Sequence, residues 1–515
     1  MAGRLHTQEA KIESLLIMRN ALGGPTQLPT SRALLHAPST LQPSVSEHLQ
    51  ASSMMSHFYS LPPEIIFAIA DFLKDDAESI KALRLVDRDC SLVCTRLLFR
   101  SIRFVIDKES MAHFHCILGN PDIRHAVTTI RVNTAEYTDR NMETFDWDDR
   151  DEELLKLFNH YLSRFGRFSN LRAVHLKFSK ACVGPPLRRH WWASQVPESV
   201  TFRMDVLQSL MKGLNDTENP TQLFKSLTIE NLQDWTDDSL VKSSDFEAVL
   251  TKVRRLDLQI ATEEDETLPT SFMEKKELHD FFNQQLCRGW LNPCITSLKH
   301  LKLYAGSVYW GYIPKCALPH FPNLESISLG RMTFSHDSQL DWILSHATTL
   351  TELTLDDCPI VIGTAWSGVL DDDGYPVDTT RVITSDALST RLYASRWHTY
   401  FRAFREKLTQ LLIMRCGFDD RDWEDAVAFS RSHTLGPRLW PQRYRVFDTC
   451  WLERPPFRPQ GGAERAGYDG AWTDVPFYPD CTDEDLIELV KLRDGICDRT
   501  GVEDEELALL KMMIC

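Results

Sequence analysis

Thiol and imidazole side chains, the types that bind transition metals, occur together between residues 90 and 116. Cys90 and Cys94 are four residues apart, and His113, His115 and Cys116 follow closely. A structural zinc site needs about four convergent ligands, usually supplied by closely spaced pairs. Neither a Cys-x-x-Cys pair nor a His-Glu-x-x-His sequence occurs in the chain. We therefore expect buried thiols and surface histidines here, with no metal and no cofactor.

Three acidic runs offer carboxylates that calcium could bind, at residues 146–153, 263–266 and 371–373. None has the twelve-residue loop with its glycine and closing glutamate that calcium-binding loops use, so solvated loops are the better interpretation. Residues 188–192 (RRHWW) combine basic and aromatic groups suited to stacking on nucleic acid. Because the chain carries a formal net charge of −16, we expect an insertion or a target contact there, and no nucleic-acid partner.

Local signatures of common enzymes are missing from the sequence. It has no phosphate-binding glycine loop, no Gly-x-Ser-x-Gly elbow and no kinase signature. It also has no apolar run of about 20 residues and no secretory signal. We therefore expect a non-catalytic, cytoplasmic or nuclear protein without a membrane partner. An enzyme with scattered catalytic residues is the third hypothesis, behind the two given below.

A six-residue pattern, apolar-x-x-apolar-x-apolar, recurs along the chain at intervals of 44, 53, 29, 45, 26, 26 and 58 residues. Its last two apolar residues are two apart, so they point to the same face of a short strand. The intervals carry helical patterns, which predicts stacked parallel strands with helices on the outer side. The pattern begins at Val127, Leu171, Phe224, Val253, Leu298, Leu324, Leu350 and Leu408.

Polar residues between these apolar positions are expected to face the concave side of the sheet. They include Arg131, His175, Lys177, Glu230, Asp257, Lys302, Tyr304 and Asp356. As a group they predict a surface that binds a protein target, and the basic members would suit an acidic or phosphorylated one. The alternative interpretation is a solvated face with no partner.

Residues 60–106 predict three short helices. Pro62 and Pro63 suit the entrance of the first, acidic residues at 75–78 favour the start of the second, and Cys90–Phe99 forms the third. A unit of fewer than 50 residues buries little surface within itself. Its many aliphatic residues therefore indicate docking on a partner, on the rest of the chain, or on both.

This helical segment resembles the F-box motif. The resemblance rests on residues 61–66 (LPPEII), 69–73 (IADFL) and 83–88 (LRLVDR). Residues 97–102 (LLFRSI) are similar to the end of that unit in fungal F-box proteins. An aromatic residue is common in the third F-box helix, and Cys90 stands roughly at that place.

Two later segments resemble cysteine-containing leucine-rich repeats of the kind that often follows an F-box. They are residues 350–361 (LTELTLDDCPIV) and 408–418 (LTQLLIMRCGF), and Cys358 and Cys416 occupy the same place in each. The two consecutive intervals of 26 residues lie within the range of such repeats. The other six repeats lack the Asn or Cys at this position.

The resemblance implies a substrate-recognition subunit of a Skp-cullin-F-box type ubiquitin ligase. Its F-box would bind a Skp-type adaptor and through it a cullin, and its repeats would bind an unknown protein target. The leading alternative is a protein-interaction scaffold that does not direct ubiquitination. The residues expected to bind the adaptor are Leu61, Pro62, Glu64, Ile65, Ile66, Ile69, Leu73, Leu85 and Val86.

The expected fold class is α/β, with a three-helix F-box followed by an irregular leucine-rich-repeat solenoid of parallel strands and outer helices. Residues 363–380 are expected to be an insertion. The expected domains are a disordered arm with a possible short helix (1–56), an F-box-like unit (57–106), a repeat region (107–435), and an irregular wrapping segment with capping helices near 482–493 and 503–513 (436–515).

Overall fold

The computed structural model divides the chain into two compact units, Met1–Arg100 and Ser101–Cys515. The predicted arm at 1–56 and almost all of the helix predicted at 503–513 lie outside the described residues. The described residues are 61–74, 76–135, 152–184, 198–216, 223–235, 237–263, 275–306, 308–366, 368–377, 389–418, 438–448, 457–459, 480–502 and 507.

Three helices form the described part of the first unit. They are α1 (Pro63–Phe72), α2 (Ala77–Leu83) and α3 (Arg88–Leu98). Proline opens α1, where its missing N–H has no helical partner to lose. The three helices predicted from the sequence are confirmed, and the structure itself does not assign them to a family.

Aspartates start the second and third helices of this unit. The Asp76 carboxylate accepts a hydrogen bond from the Ser79 backbone N–H at 3.2 Å, and Asp87 accepts one from the Cys90 N–H at 2.7 Å. Such caps satisfy N–H groups that have no partner within the helix. The buried core between the helices consists of Ile66, Ala70, Ile80, Leu83, Cys90 and Cys94.

The larger unit combines helices with short strands, so the architecture is mixed α/β. Its strands are β1 (Ser101–Val105), β2 (Thr129–Asn133), β3 (Ala173–Lys177), β4 (Cys182–Val183), β5 (Glu198–Ser199), β6 (Ser226–Gln233), β7 (Arg255–Ala261), β8 (His300–Ala305), β9 (Ser326–Gly330), β10 (Glu352–Asp356), β11 (Ile360–Trp366), β12 (Ser389–Leu392), β13 (Ile413–Gly417), β14 (Tyr444–Asp448) and β15 (Phe457–Pro459). Its α-helices are α4 (Lys108–Gly119), α5 (Pro121–Ala126), α6 (Glu152–Leu162), α7 (Val200–Leu214), α8 (Asp238–Val241), α9 (Ser244–Leu250), α10 (Lys276–Asp280), α11 (Asp337–Leu344), α12 (Trp397–Lys407) and α13 (Thr482–Thr500). A π-helix, Phe281–Leu291, continues α10, and 3₁₀ turns occur at Phe165–Arg167 and Asn292–Cys294.

Nine strands form one sheet in the order β1-β2-β3-β6-β7-β8-β9-β10-β13, and every neighbouring pair is parallel. All eight strands predicted from the six-residue pattern lie side by side in it, which confirms their number and order. In the last strand the pattern beginning at Leu408 was placed three residues early, since Ile413 is 40% exposed and Met414 and Cys416 occupy the buried rows. Two buried apolar rows cross the sheet in register: Ile102, Ile130, Val174, Leu227, Leu256, Leu301, Ile327, Leu353 and Met414, then Phe104, Val132, Leu176, Ile229, Leu258, Leu303, Leu329, Leu355 and Cys416.

The ninth strand, β1, was not predicted, because residues 101–106 were assigned to the helical unit. Ile102 and Phe104 are buried and pair in register with Ile130 and Val132 of β2. The boundary expected at residue 106 is therefore corrected to Arg100. The physical reason is the alternation Ile-x-Phe, which gives a strand one buried face.

The first apolar residue of each pattern is also buried, as expected for the point where the chain turns into a strand. Helix α12 buries one face through Trp397, Tyr400, Phe401 and Phe404, which confirms the helix predicted before the last repeat. Among the described residues, no helix combines the length and apolarity needed to cross a bilayer.

A second, four-stranded sheet has the order β12-β11-β14-β15, with β11 and β14 parallel. It corrects two expectations. The insertion expected from residue 363 begins inside β11, and the segment expected to be irregular from residue 436 contributes β14 and β15. Aromatic packing explains both, since one buried cluster joins these strands: Tyr312, Ile313, Val361, Trp366, Tyr375, Phe447 and Phe457.

Helix α13 packs beside α12, and a buried carboxylate fixes the contact. Asp485, fully buried, accepts hydrogen bonds from the Tyr444 hydroxyl at 2.8 Å, the Arg443 Nε at 2.9 Å and the His398 backbone N–H at 2.8 Å. The Arg499 Nε donates to the Leu411 carbonyl at 2.9 Å, which attaches the far end of the helix beside β13. A helix expected near residues 482–493 is thus present and extends to Thr500.

Candidate functional site

Along each strand of the nine-stranded sheet, the residues of the apolar rows alternate with residues that point to the opposite face. This opposite face carries a row of polar residues, and we call it the polar face. Adjacent strands are about 4.8 Å apart, so residues in register lie side by side across the sheet. The central row consists of Arg103, Arg131, His175, Thr228, Asp257, Lys302, Ser328, Thr354 and Arg415.

Four of the eight residues predicted to bind a target lie in this row, namely Arg131, His175, Asp257 and Lys302. The other four lie two residues further along their strands. Of these, Glu230, Tyr304 and Asp356 are buried, with exposed fractions of 6%, 1% and 5%. These three side chains lie on the face predicted from alternation, but they are buried there because each is engaged by a neighbouring side chain. Lys177 remains 38% exposed at its side chain.

Glu230 joins two basic residues of the neighbouring strand. Its carboxylate lies 2.8 Å from His175 Nε2 and 3.6 Å from Lys177 Nζ. Burial raises the pKa of the Glu230 carboxyl, but hydrogen bonds and charge from His175 and Lys177 outweigh burial, so the pKa is lowered overall. The buried carboxylate therefore holds the two basic side chains in place on β3.

Tyr304 crosses one strand to reach Asp356. Its hydroxyl donates a hydrogen bond to the Asp356 carboxylate at 3.2 Å, although β9 lies between β8 and β10. The ring passes over Gly330, where an added Cβ would lie 2.3 Å from a ring carbon. Burial, with the neighbouring charge of Asp357, raises the pKa of Asp356 to about 7. Gly330 is therefore needed for this contact.

A charged cluster follows the end of β10. The Asp357 carboxylate accepts a hydrogen bond from the Tyr309 hydroxyl at 2.8 Å and lies 3.7 Å from Arg331 Nε. Arg331 and Asp357 both adopt positive φ, 57° and 47°, directly after β9 and β10. Non-glycine residues rarely adopt this conformation, so the cluster holds two strained turns next to the polar face.

The middle of the row is partly desolvated. Asp257 and Lys302 are neighbours in register, and Thr228 donates a hydrogen bond to Asp257 at 3.4 Å. Burial raises the pKa of Asp257 and lowers that of Lys302, which is the direction that desolvation gives an acid and a base. Asp257 and Lys302 therefore carry opposite charges side by side in a partly buried part of the polar face.

The β1–β3 end of the polar face is basic. Arg103 and Arg131 are exposed and in register on neighbouring strands, and His175 follows on β3. Like charges directly opposite each other are unfavourable in a sheet, and exposure to solvent weakens the repulsion between the two guanidinium groups. Sequence reasoning missed Arg103, because its strand was assigned to the helical unit. The signal that could have revealed it is the alternation Ile102-x-Phe104.

The helical unit exposes large apolar side chains. Leu85 is 86% exposed, Phe72 69%, Leu92 51%, Ile65 47% and Phe67 45%. Ile65 and Leu85 were among the residues expected to bind an adaptor. Phe67, Phe72 and Leu92 were not, because the resemblance to the F-box motif does not show which apolar side chains the helices leave exposed. We call these five residues the apolar surface of the helical unit.

The other residues expected to bind an adaptor differ in exposure. Pro62 and Glu64 are exposed at the entrance of α1, while Leu61, Ile69, Leu73 and Val86 are half-buried. Ile66 is 2% exposed and lies in the core. The expectation that Ile66 supplies interface area is therefore corrected, because a helix of this period turns it towards α2 and α3.

The candidate metal ligands belong to different units of the structure. Cys90 and Cys94 are buried in the helical core, whereas His113, His115 and Cys116 are exposed on α4 of the larger unit. Burial and a hydrogen bond to Asp87 raise the pKa of Cys90 to about 12, so its thiol stays protonated.

The remaining sequence candidates are solvated or undescribed. Residues 371–373 are exposed, and Asp371 lies 3.8 Å from Lys315 Nζ. Residues 188–192, 146–151 and 264–266 lie outside the described residues. Among the described residues, no group of three His, Cys, Asp or Glu side chains is arranged to hold a metal ion.

No model of a protein family matches this chain, and no curated protein sequence matches it either.

Proposed function

We propose that this chain is the substrate-recognition subunit of a Skp-cullin-F-box type ubiquitin ligase that acts in the cytoplasm or nucleus. In this proposal the helical unit is an F-box that binds a Skp-type adaptor and through it a cullin. The larger unit is an irregular leucine-rich-repeat solenoid that binds a protein target. The chain contributes proximity between target and ubiquitin carrier, and no acid–base group of its own.

The observation that carries the proposal is the apolar surface of the helical unit. Five large apolar side chains left exposed on a unit of three short helices favour a protein-binding role for that unit. Fully burying one such side chain stabilises a complex by roughly 1.5–3 kcal/mol. Leu85, in the segment that resembles the F-box, is the most exposed of these side chains, at 86%.

The polar face supports the second half of the proposal. Strands that follow chain order in one parallel sheet are the arrangement of a repeat solenoid, and solenoids bind partners over extended concave surfaces. The face combines exposed basic residues at one end with neutralised charges in its middle, which favours an acidic or phosphorylated segment of the target at the β1–β3 end.

Adaptor binding is tested with variants of the exposed residues. We expect Ile65→Ala with Leu85→Ala to abolish pull-down of a Skp-type adaptor, because both side chains lose the area they would bury. The Leu61→Ala and Pro62→Ala pair should also abolish it, but Leu61 packs against the helical core, so that result includes a folding effect. The matched control is Val369→Ala with Val377→Ala, which are 70% and 65% exposed in the larger unit. Unchanged pull-down by the Ile65/Leu85 variant contradicts the proposal.

A scaffold and a ligase subunit make different predictions for target turnover. Removing residues 61–100 deletes the helical unit but keeps β1, which a deletion to residue 106 would destroy. We expect proteins that co-purify with the intact chain to gain half-life in cells that carry only the deletion. Unchanged half-lives with retained binding would favour the scaffold that does not direct ubiquitination.

A further inference from the structure

Two thiols touch beside strand β8. Cys287 is on the π-helix that precedes the strand, and Cys316 is in the connection from β8 to β9. Their Sγ atoms are 3.6 Å apart, and the residues are only 8% and 6% exposed. A π-helix is rare and is found frequently at functional sites. The pair therefore brings two sulfur atoms into contact across segments 29 residues apart.

Other buried thiols of the larger unit have different partners. Cys294 donates to the carbonyls of Trp290 and Leu291 at 3.3 and 3.2 Å, and Cys358 donates to the Leu329 carbonyl at 3.3 Å. A thiol that is hydrogen-bonded only to backbone carbonyls has no second sulfur in contact with which to form a disulfide. Cys294 is therefore a suitable internal control.

The contact makes the two thiols unequal. The hydrogen bond between the two thiols lowers the pKa of Cys287 despite burial, while the same bond and burial raise the pKa of Cys316 well above its ordinary value. The thiolate is the nucleophilic form of cysteine. Cys287 is thus the member of the pair that reacts first with an electrophile.

We propose that Cys287 and Cys316 are an oxidative modification site that closes to a reversible disulfide on reaction with hydrogen peroxide. The Cys287 thiolate attacks the peroxide, so that an S–O bond forms, the O–O bond breaks and hydroxide leaves. The Cys316 thiol then attacks the oxidised sulfur, so that the S–S bond forms, the S–O bond breaks and water leaves with the thiol proton. Peroxide is reduced, and the two sulfurs together lose two electrons.

The geometry requires only a short movement. A disulfide has an S–S distance of about 2.05 Å, so the two sulfurs, 3.6 Å apart, must approach by about 1.6 Å. The bond would tie the π-helix to the segment that holds Trp310, whose ring already stacks on Phe282 at 5.8 Å. The site does not depend on the proposed ligase function.

Peptide mapping of the full chain tests the proposal. The reduced protein is treated with hydrogen peroxide, alkylated under denaturing conditions and digested with trypsin without reductant. Trypsin places Cys287 in residues 277–288 and Cys316 in residues 316–331, each with a single cysteine. We expect these two peptides linked, with a mass lower by two hydrogen atoms than their sum, and separated again by dithiothreitol.

Variants separate this pairing from general oxidation. Cys316→Ala should remove the linked species and leave Cys287 as a sulfenic or sulfinic acid, whereas Cys294→Ala should retain the link. Exposed Cys116, in residues 109–124, reports that the oxidant has acted. Oxidised Cys116 with both target peptides still reduced in the unmodified chain overturns the proposal. A link from Cys287 to Cys294 that is as abundant as the link to Cys316 also overturns the proposal. Both results are measured in the wild-type chain, so they do not depend on whether a variant folds.

Discussion

The two units place apolar and charged side chains in opposite ways. In the larger unit the apolar rows are sealed, and deeply buried charges such as Glu198 and Arg203, each 1% exposed, face each other. In the helical unit Leu85 and Phe72 are 86% and 69% exposed. Exposed apolar surface is unfavourable in water, so the buried rows stabilise the larger unit. Under the proposed function, the exposed apolar side chains of the helical unit bind a partner, which the isolated valines exposed in the larger unit, Val369 and Val377, do not.

The largest stability effect is expected from breaking the buried ion pair. Arg203 Nε lies 3.1 Å from the Glu198 carboxylate, which also accepts a hydrogen bond from the Thr134 hydroxyl at 2.7 Å. Glu198→Ala leaves Arg203 as a buried charge without its counter-charge, which costs about 3–5 kcal/mol. Urea unfolding followed by circular dichroism measures the loss.

The control for this prediction is an ion pair of similar length on the surface. Lys156 Nζ lies 2.8 Å from the Glu152 carboxylate, and both side chains are about three-quarters exposed, at 74% and 77%. Glu152→Ala should leave the unfolding midpoint unchanged, because solvent screens an exposed pair. Equal losses in unfolding free energy for Glu198→Ala and Glu152→Ala would contradict the expectation that only the buried ion pair stabilises the fold.

A similar or slightly smaller loss in the free energy of unfolding is expected from a substitution in the apolar rows. Leu258 of β7 is fully buried and pairs in register with Ile229 and Leu303. Leu258→Ala should cost about 2–5 kcal/mol, since it removes apolar contacts and leaves a cavity. The comparison is Leu412→Ala, at a position 42% exposed, in the same urea experiment. If Leu412→Ala lowers the free energy of unfolding as much as Leu258→Ala does, the buried apolar rows are not the main source of the sheet's stability.

The sheet could be predicted from the sequence, because its signal is periodic and local. Each apolar pair two residues apart specifies one buried strand face, and the leading residue marks the turn into the strand. Strand β1 was missed although Phe99, Ile102 and Phe104 carry the complete pattern, because the segment follows directly after α3 and was assigned to the helical unit. Periodicity identifies strands, but it does not decide to which unit a segment at a boundary belongs.

The polar face could be predicted only in part. Alternation correctly selected the positions of Glu230, Tyr304 and Asp356, but it does not show which polar residues find partners across strands. Burial of Tyr304 depends on the absence of a side chain at Gly330, on a different strand. Such contacts arise from the register of three strands, which no single segment encodes.

A smaller, pH-dependent effect is expected at Asp356. Burial raises its folded-state pKa to about 7 from an ordinary value of 3.8. Its protonated form therefore favours the folded state, and this contribution is fully present below about pH 4 and is lost as the pH rises through 7. Tyr304 and Lys302 favour the ionised form and limit the loss.

The test compares the urea midpoint at pH 5 and pH 7.5. The unmodified chain should lose stability between these values, and Asp356→Asn should reduce that difference, because an amide does not ionise. Glu352→Gln is a matched control on the same strand, since hydrogen bonds from Arg415 and Ser326 lower the pKa of Glu352 despite burial. A pH difference that survives Asp356→Asn unchanged would assign the effect to another group.

The smallest stability effect, and the sharpest test of the contrast between units, is expected at Leu85. Its side chain is 86% exposed, and substitutions at such surface positions usually change stability by less than about 0.5 kcal/mol. Leu85→Ser should therefore leave the unfolding midpoint unchanged while it removes adaptor binding. Ile66→Ala, in the core of the same unit, should instead destabilise the unit, because it opens a cavity. A Leu85→Ser chain that unfolds at lower urea would show that this leucine serves the protein's own fold, and the apolar surface would then lose its most exposed member.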